Sequence, residues 1–108
     1  MSLVTMKDFE KLDLRVGKVV EAEAIPGMKK ILKVKVDIGG QTLETVAGGA
    51  QYYTPEYFKG RVFAVLVNME PKTIAGIQSR GMLLAADHGG KPIWLTLEEP
   101  VPPGTKIR

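Results

Sequence analysis

Ile31-Leu32-Lys33-Val34-Lys35-Val36-Asp37-Ile38-Gly39-Gly40-Gln41-Thr42-Leu43-Glu44-Thr45-Val46 is the stretch that decides the fold. Leu32, Val34, Val36 and Ile38 alternate with Lys33, Lys35 and Asp37, the period-two pattern of a strand with one buried face. Gly39-Gly40 is a strong signal for a two-residue hairpin turn, whose central residues favour glycine. Gln41 to Val46, rich in threonine, returns as the partner strand.

Upstream, Leu14 to Ile25 alternates loosely around Gly17. A glycine inside a strand predicts the bulge or sharp bend that a closing barrel needs. Pro26-Gly27 marks the turn into the next strand, and Met28-Lys29-Lys30 makes that loop basic. Near the N-terminus, Thr5 with Asp8 reads as an N-cap with an acid at N3. Met6, Phe9 and Leu12 at helical spacing predict two turns of helix over 6–12, placed to plug something apolar.

Downstream, Ala47-Gly48-Gly49-Ala50 lacks the spacing and lysine of a phosphate loop and reads as backbone geometry. Thr54-Pro55-Glu56 opens a short helix with Tyr57 and Phe58 as its apolar face and Gly60 as its stop. Val62 to Val67 is apolar on both faces, and Met82 to Ala86 repeats the pattern. One side is core; the other must meet a helix, a tail or a second subunit, and a homodimer is expected from it. Between these strands, Asn68 to Met82 is a long polar connection punctuated by glycine, the kind that carries function on a rigid scaffold. Asp87-His88-Gly89-Gly90 turns the chain into 92–97, and the proline-rich end over 98–108 reads as an extended tail along the surface.

Five or so strands with a helix between the third and fourth predict a mainly β protein: an OB-fold five-stranded barrel with short helices and a C-terminal extension. The 108 residues are expected to form one domain over 1–108. No run approaches the length of a membrane span and no signal pattern opens the chain, so a cytoplasmic protein without a membrane partner is expected. The absence of cysteine removes disulfides, thiolate metal sites and thiol nucleophiles together. His88 is the single histidine and lies in a turn. The acids cluster as Asp8/Glu10/Asp13, Glu21/Glu23 and Glu98/Glu99 without the spacing of an acid–base pair. No catalytic residue, metal ligand or cofactor is therefore expected.

The net charge of +3 suits an anionic partner. Lys29, Lys30, Lys33 and Lys35 can form one stripe across the first loop and the second strand, with Lys72 and Arg80 flanking the long connection. Such a stripe neutralises phosphates without reading sequence. Equally, strand lysines can simply keep a sheet face soluble and block edge pairing. Tyr52 and Tyr53 are the candidate stacking platforms, but their place beside a short helix favours the core or an interface. So few stacking platforms favour a folded RNA recognised by shape and backbone over a generic single strand.

Asp13-Leu14-Arg15-Val16-Gly17-Lys18-Val19, Lys35-Val36-Asp37, Asn68 with Pro71-Lys72, Gly76-Ile77 with Ser79 and Gly81-Met82-Leu83-Leu84-Ala85-Ala86, and Val101-Pro102-Pro103-Gly104 follow one another in order. Together, over residues 8–108, they resemble the tRNA-binding domain attached to many methionyl-tRNA synthetases. The resemblance implies an OB-fold, a homodimer, and tRNA bound by structure rather than sequence, in the service of a methionyl-tRNA synthetase. It also implies RNA contacts at Lys30, Lys35, Asn68, Lys72, Ser79 and Met82, with Asn68 and Ser79 offering polar groups and Met82 shaping the loop. The chain departs from the family in two places. Ile25-Pro26-Gly27-Met28-Lys29-Lys30-Ile31 stands where the family commonly has His-Pro-Asn-Ala-Asp-Lys-Leu, and Ala75 stands where it usually has Arg. Lys29 and Arg80 are the cations available to restore that charge. Asp8-Phe9-Glu10-Lys11-Leu12-Asp13 is also similar to an export-related chaperone of the same family that binds unfolded preproteins, and this is the alternative function.

Overall fold

The alternation in the second strand translates directly into burial. A computed structural model describes residues 2–108, with Met1 outside the described residues. In chain order it runs α1 (Met6–Phe9), β1 (Leu14–Ala24), β2 (Ile31–Asp37), β3 (Thr42–Gly48), α2 (Pro55–Phe58) and β4 (Val62–Leu66). It continues through β5 (Lys72–Ile74), β6 (Ile77–Ser79), β7 (Met82–Leu83), β8 (Ala85–His88), β9 (Lys91–Trp94) and β10 (Lys106–Ile107). Leu32, Val34, Val36 and Ile38 are all buried, while Lys33, Lys35 and Asp37 between them stay half-exposed. The turn closes as the glycine pair requires: Gly39 and Gly40 both take positive φ, and the Ile38 amide donates to the Gln41 carbonyl.

The main sheet orders its strands β3-β2-β1-β4-β7, antiparallel throughout. The ends of that path meet where the Arg80 amide donates to the Glu44 carbonyl, 2.9 Å away. This nearly closes a five-stranded OB-fold barrel. Its core holds Val19, Leu32, Val34, Val36, Phe63 and Val65, with Phe58 of α2 as the plug. Thr54 caps α2 by accepting from the Tyr57 amide, Pro55 fills the first helical position, and only Phe58 of its four residues is buried. The proline-rich end lies extended and finishes as β10, which pairs with the first residues of β1. There Gly104 sits so close to Gly39 that a Cβ on either would fall 2.8 Å from the other's Cα. Val-Pro-Pro-Gly is thus the segment that seats the tail on the β2–β3 turn.

Four expectations need correction. The capping box of Thr5 and Asp8 forms, but α1 is a single turn with no buried residue, and Met6 and Leu12 are exposed. Without buried partners at both ends of its stripe, α1 does not plug the barrel. Gly17 makes no bulge; a Cβ there would lie 2.5 Å from Val36 and 2.7 Å from Val65, so its role is close packing of strands. The bulge comes between Val19 and Glu21. The connection from Asn68 to Met82 is mostly a hairpin, β5–β6, turning at Ala75-Gly76, where Ala75 at φ 52° is the sole non-glycine residue with positive φ among those described. Finally, Met82 to Ala86 does not repeat the two-sided burial of β4. It divides into β7, paired with β4, and β8, which is exposed and forms its own hairpin with β9.

Candidate nucleic-acid interface

The β1–β2 register governs the fate of the strand lysines. Beyond the bulge, Glu21 faces Lys35 and Glu23 faces Lys33. The side chains complete the pairing, with Lys33 Nζ 2.6 Å from Glu23 and Lys35 Nζ 3.3 Å from Glu21. Glu44 of β3 stands opposite Lys35 on its other side. The hydrogen bond from Lys33 lowers the Glu23 carboxyl below its usual value and the same bond raises Lys33. This face is therefore charge-balanced, as the reading of solubility and edge protection expects.

Three residues earlier the situation reverses. Lys29 and Lys30 are exposed, make no ion pair among the described residues, and have no strand across from them. The Lys30 carbonyl accepts from the Ala50 amide at 3.2 Å, tying this loop to the segment after β3. Between the two lies a groove of about 450 Å³ that includes Met28, Lys29, Ile31, Tyr52 and Tyr53. Tyr53 behaves as the core reading expects, packing on Tyr57, Phe58 and Trp94 and donating its hydroxyl to the Pro92 carbonyl at 2.7 Å. Tyr52 does not: it is 49% exposed. Lys91, which the sequence reading missed, holds its ammonium over both rings, 5.7 Å and 5.8 Å from their centroids. It comes from a hairpin some forty residues on in the chain, which the Tyr53–Pro92 hydrogen bond and the close approach of Pro92 to Gly49 bring to this segment.

Ser79, Gly81 and Asn68 are tied into the scaffold. Ser79 is buried; its Oγ accepts from the Val46 amide at 3.0 Å and lies 3.1 Å from the Thr45 hydroxyl. Thr45 in turn donates to the Gly81 carbonyl at 3.1 Å. Since each hydroxyl has one proton, the only consistent direction runs Val46 N–H to Ser79 O–H to Thr45 O–H to Gly81 C=O. Gly81 must be glycine: it sits at φ 71°, and a Cβ would press to 3.0 Å on the Leu66 carbonyl. The Asn68 amide is also committed, accepting from the Asp13 amide at 2.9 Å and donating to the Lys11 carbonyl at 2.7 Å. Beside it Arg15 and Lys106 bind Asp13 and draw its carboxyl below the usual value, Arg15 contributing most. Asn68 and Ser79, expected to offer polar groups to RNA, join the β5–β6 hairpin and the chain ends to the barrel; Asn68 is exposed and Ser79 buried.

Lys72 in β5, Arg80 after β6 and Met82 in β7 are exposed, and neither cation makes an ion pair among the described residues. Lys72 stands opposite Ser79 in the hairpin, which leaves β3 at Val46, two residues before the Gly48 that pairs with Ile31. Among the described residues no three His, Asp or Glu side chains converge on a common point, and no helix is long and apolar enough to cross a membrane.

The family model of the tRNA-binding domain matches residues 14–106. The methionine–tRNA ligase of Archaeoglobus fulgidus is 43% identical over 104 residues, which are 96% of this chain and 16% of that enzyme. The chain thus spans about one sixth of the curated relatives it matches. A MetRS-related protein of Pyrococcus horikoshii superposes end to end on the whole chain, with TM-score 0.93 and 36% identity over 100% of both. The chaperone CsaA of Bacillus anthracis follows with TM-score 0.88 and 30% identity over 99% of this chain and all of that one. The chain belongs to the family of the tRNA-binding domain found in methionine–tRNA ligases.

Proposed function

We propose that this chain is a non-catalytic tRNA-binding module that holds tRNA by shape and backbone and serves a methionine–tRNA ligase in trans, as a cytoplasmic homodimer. The observation that carries it is the free charge of Lys29 and Lys30 at the edge of a groove with an exposed aromatic ring. Lys72, Arg80 and Met82 extend this contact set along the β5–β6 hairpin. Lys33 and Lys35 join it only by exchanging their glutamates for phosphate, which is feasible because exposed ion pairs are worth at most about 1 kcal/mol. The end-to-end match to a MetRS-related protein supports action in trans. Lone, exposed His88 and the scattered carboxylates offer nothing to a reaction. Titration of tRNA at several salt concentrations tests the reading. Affinity that falls linearly with the logarithm of salt supports it, and no binding at low salt refutes it. Capture of the ligase together with tRNA from lysate tests the partner, and a monomer in sedimentation at micromolar concentration would count against the dimer.

A second reading rests on a different surface. Leu3, Val4 and Met6 are 91%, 78% and 70% exposed beside a groove of about 550 Å³ that includes Phe9, Leu12 and Ile107. An apolar patch of this kind suits unfolded polypeptide, the alternative that similarity to the chaperone supports. Unfolded polypeptide that fails to bind while tRNA does rules it out.

A further inference from the structure

The groove beside Lys29 does more than supply charge. We propose that Tyr52 is a stacking platform for one unpaired base of the bound tRNA, with Lys29 and Lys91 holding the phosphates on either side of it. The inference rests on the tRNA-binding reading above and names the part of the RNA that this groove takes.

Three separate segments build the site. The β1–β2 loop brings Met28 and Lys29, the segment after β3 brings Tyr52, and the β8–β9 hairpin brings Lys91. Each is fixed to the next by a hydrogen bond: Ala50 N–H to the Lys30 carbonyl, and the Tyr53 side-chain O–H to the Pro92 carbonyl. Both Tyr52 and Tyr53 donate their amides to the Gly49 carbonyl, at 2.8 and 2.9 Å, so the Tyr52 backbone is set in one place. About half of Tyr52 stays exposed. Met28 is likewise 42% exposed, an apolar, adaptable wall for a flat ligand. A half-exposed tyrosine beside a half-exposed methionine, with cations close by, offers apolar faces and positive charge together. It complements a nucleobase, which has an apolar π-face and an anionic link at each end. The interior of a duplex cannot use it, because paired bases there keep their faces stacked on one another. The occupant is therefore an unpaired base, and the Lys91 ammonium, already at the ring, is placed to meet its phosphate.

Unfractionated tRNA, titrated against the full chain and its variants at several salt concentrations, tests this. Tyr52→Ala should weaken binding by about tenfold and leave the salt dependence unchanged, since no charge is lost. Tyr52→Phe and Tyr52→Trp, which keep a ring, should bind within about twofold of the parent or tighter. Lys91→Ala should flatten the salt slope by about one unit. If Tyr52→Ala binds like the parent while the parent shows salt-dependent affinity, stacking is overturned and tRNA binding stands. If Tyr52→Phe falls as far as Tyr52→Ala, the hydroxyl and not the ring makes the contact, and stacking is overturned. If the parent itself binds no tRNA at low salt, the tRNA reading fails and takes this inference with it.

Discussion

Lys29 and Lys30 sit three to six residues before Lys33 and Lys35, yet the two pairs live under different electrostatics. The loop pair faces solvent with no carboxylate in reach, while the strand pair lies directly across from Glu23 and Glu21. The difference comes from strand register, not residue type. Across the unbulged part of the ladder, Lys18 faces Asp37 and Val19 faces Val36. Continued without interruption, that register would set Ala22 against Lys33 and Glu21 against Val34. The extra residue at Val20 shifts the pairing by one, returns Ala22 to the core beside Val34, and sets each glutamate against a lysine. A bulge, usually considered a device for bending a strand, here decides which cations are free for a partner.

The sharpest way to break this comparison is to delete each pair. Near 0.15 M salt each phosphate contact contributes a factor of about five in affinity. Lys29→Ala with Lys30→Ala should therefore cost tRNA affinity on the order of thirtyfold, with the salt slope falling by roughly 1.5. Lys33→Ala with Lys35→Ala removes the same charge but groups already engaged, so the slope should fall by less than one unit. Equal slopes for the two double variants would erase the distinction.

A second test asks whether the motif around Ser79 is scaffold or contact. Ser79→Ala leaves the Val46 amide and the Thr45 hydroxyl short of a partner in a largely buried setting, which should lower stability by about 1–3 kcal/mol in chemical denaturation. The tRNA salt slope, measured below the unfolding transition, should not move. A changed slope with unchanged stability would make Ser79 a contact residue after all.

These two regions also mark what was legible in the chain. The alternation from Leu32 to Ile38, the Gly39-Gly40 turn, the capped α2 and the extended tail all follow from local rules, and the OB-fold barrel follows from their order. The β5–β6 hairpin escaped because its strands are three residues each, too short for a period to show, and its turn puts alanine where glycine or asparagine is usual. The pairing of the strand lysines escaped because it depends on the bulge. A signal was present: Val19 and Ala22 both enter the core and are spaced by three, which an unbroken strand cannot place on one face. The groove at Tyr52 was illegible for another reason. Its parts lie in three distant segments, and no local pattern says that Lys91 meets Tyr52.

Freeing the strand lysines should have a smaller, opposite effect. Glu21→Gln with Glu23→Gln removes both ion-pair partners of Lys33 and Lys35 without changing side-chain size, leaving Glu44 as the carboxylate nearby, and tRNA affinity should rise by a few-fold at low salt. The gain should fade as the Debye length shrinks from about 30 Å at 0.01 M to about 8 Å at physiological salt. A loss of affinity would mean that the glutamates orient the lysines for phosphate instead of occupying them.

The smallest effect isolates the pair itself. The hydrogen bond and charge of Lys33 hold the Glu23 carboxyl below its ordinary value of 4.5. Its folded value therefore lies below its unfolded one, so the ion pair is intact above the ordinary value and is lost only as pH falls through the lowered one. Carboxyl-detected NMR titration should place the Glu23 midpoint below 4.5 in the parent and move it upward in Lys33→Ala. A midpoint indifferent to Lys33 would show that the pair does not persist in solution, leaving Lys33 as free as Lys29. Repeating the titration with tRNA bound makes the comparison dynamic. If Lys33 abandons Glu23 for a phosphate, the Glu23 midpoint rises, because its stabilising cation has left and an anion has come near. If the midpoint stays low, the strand lysines remain with their glutamates and the loop carries the contact.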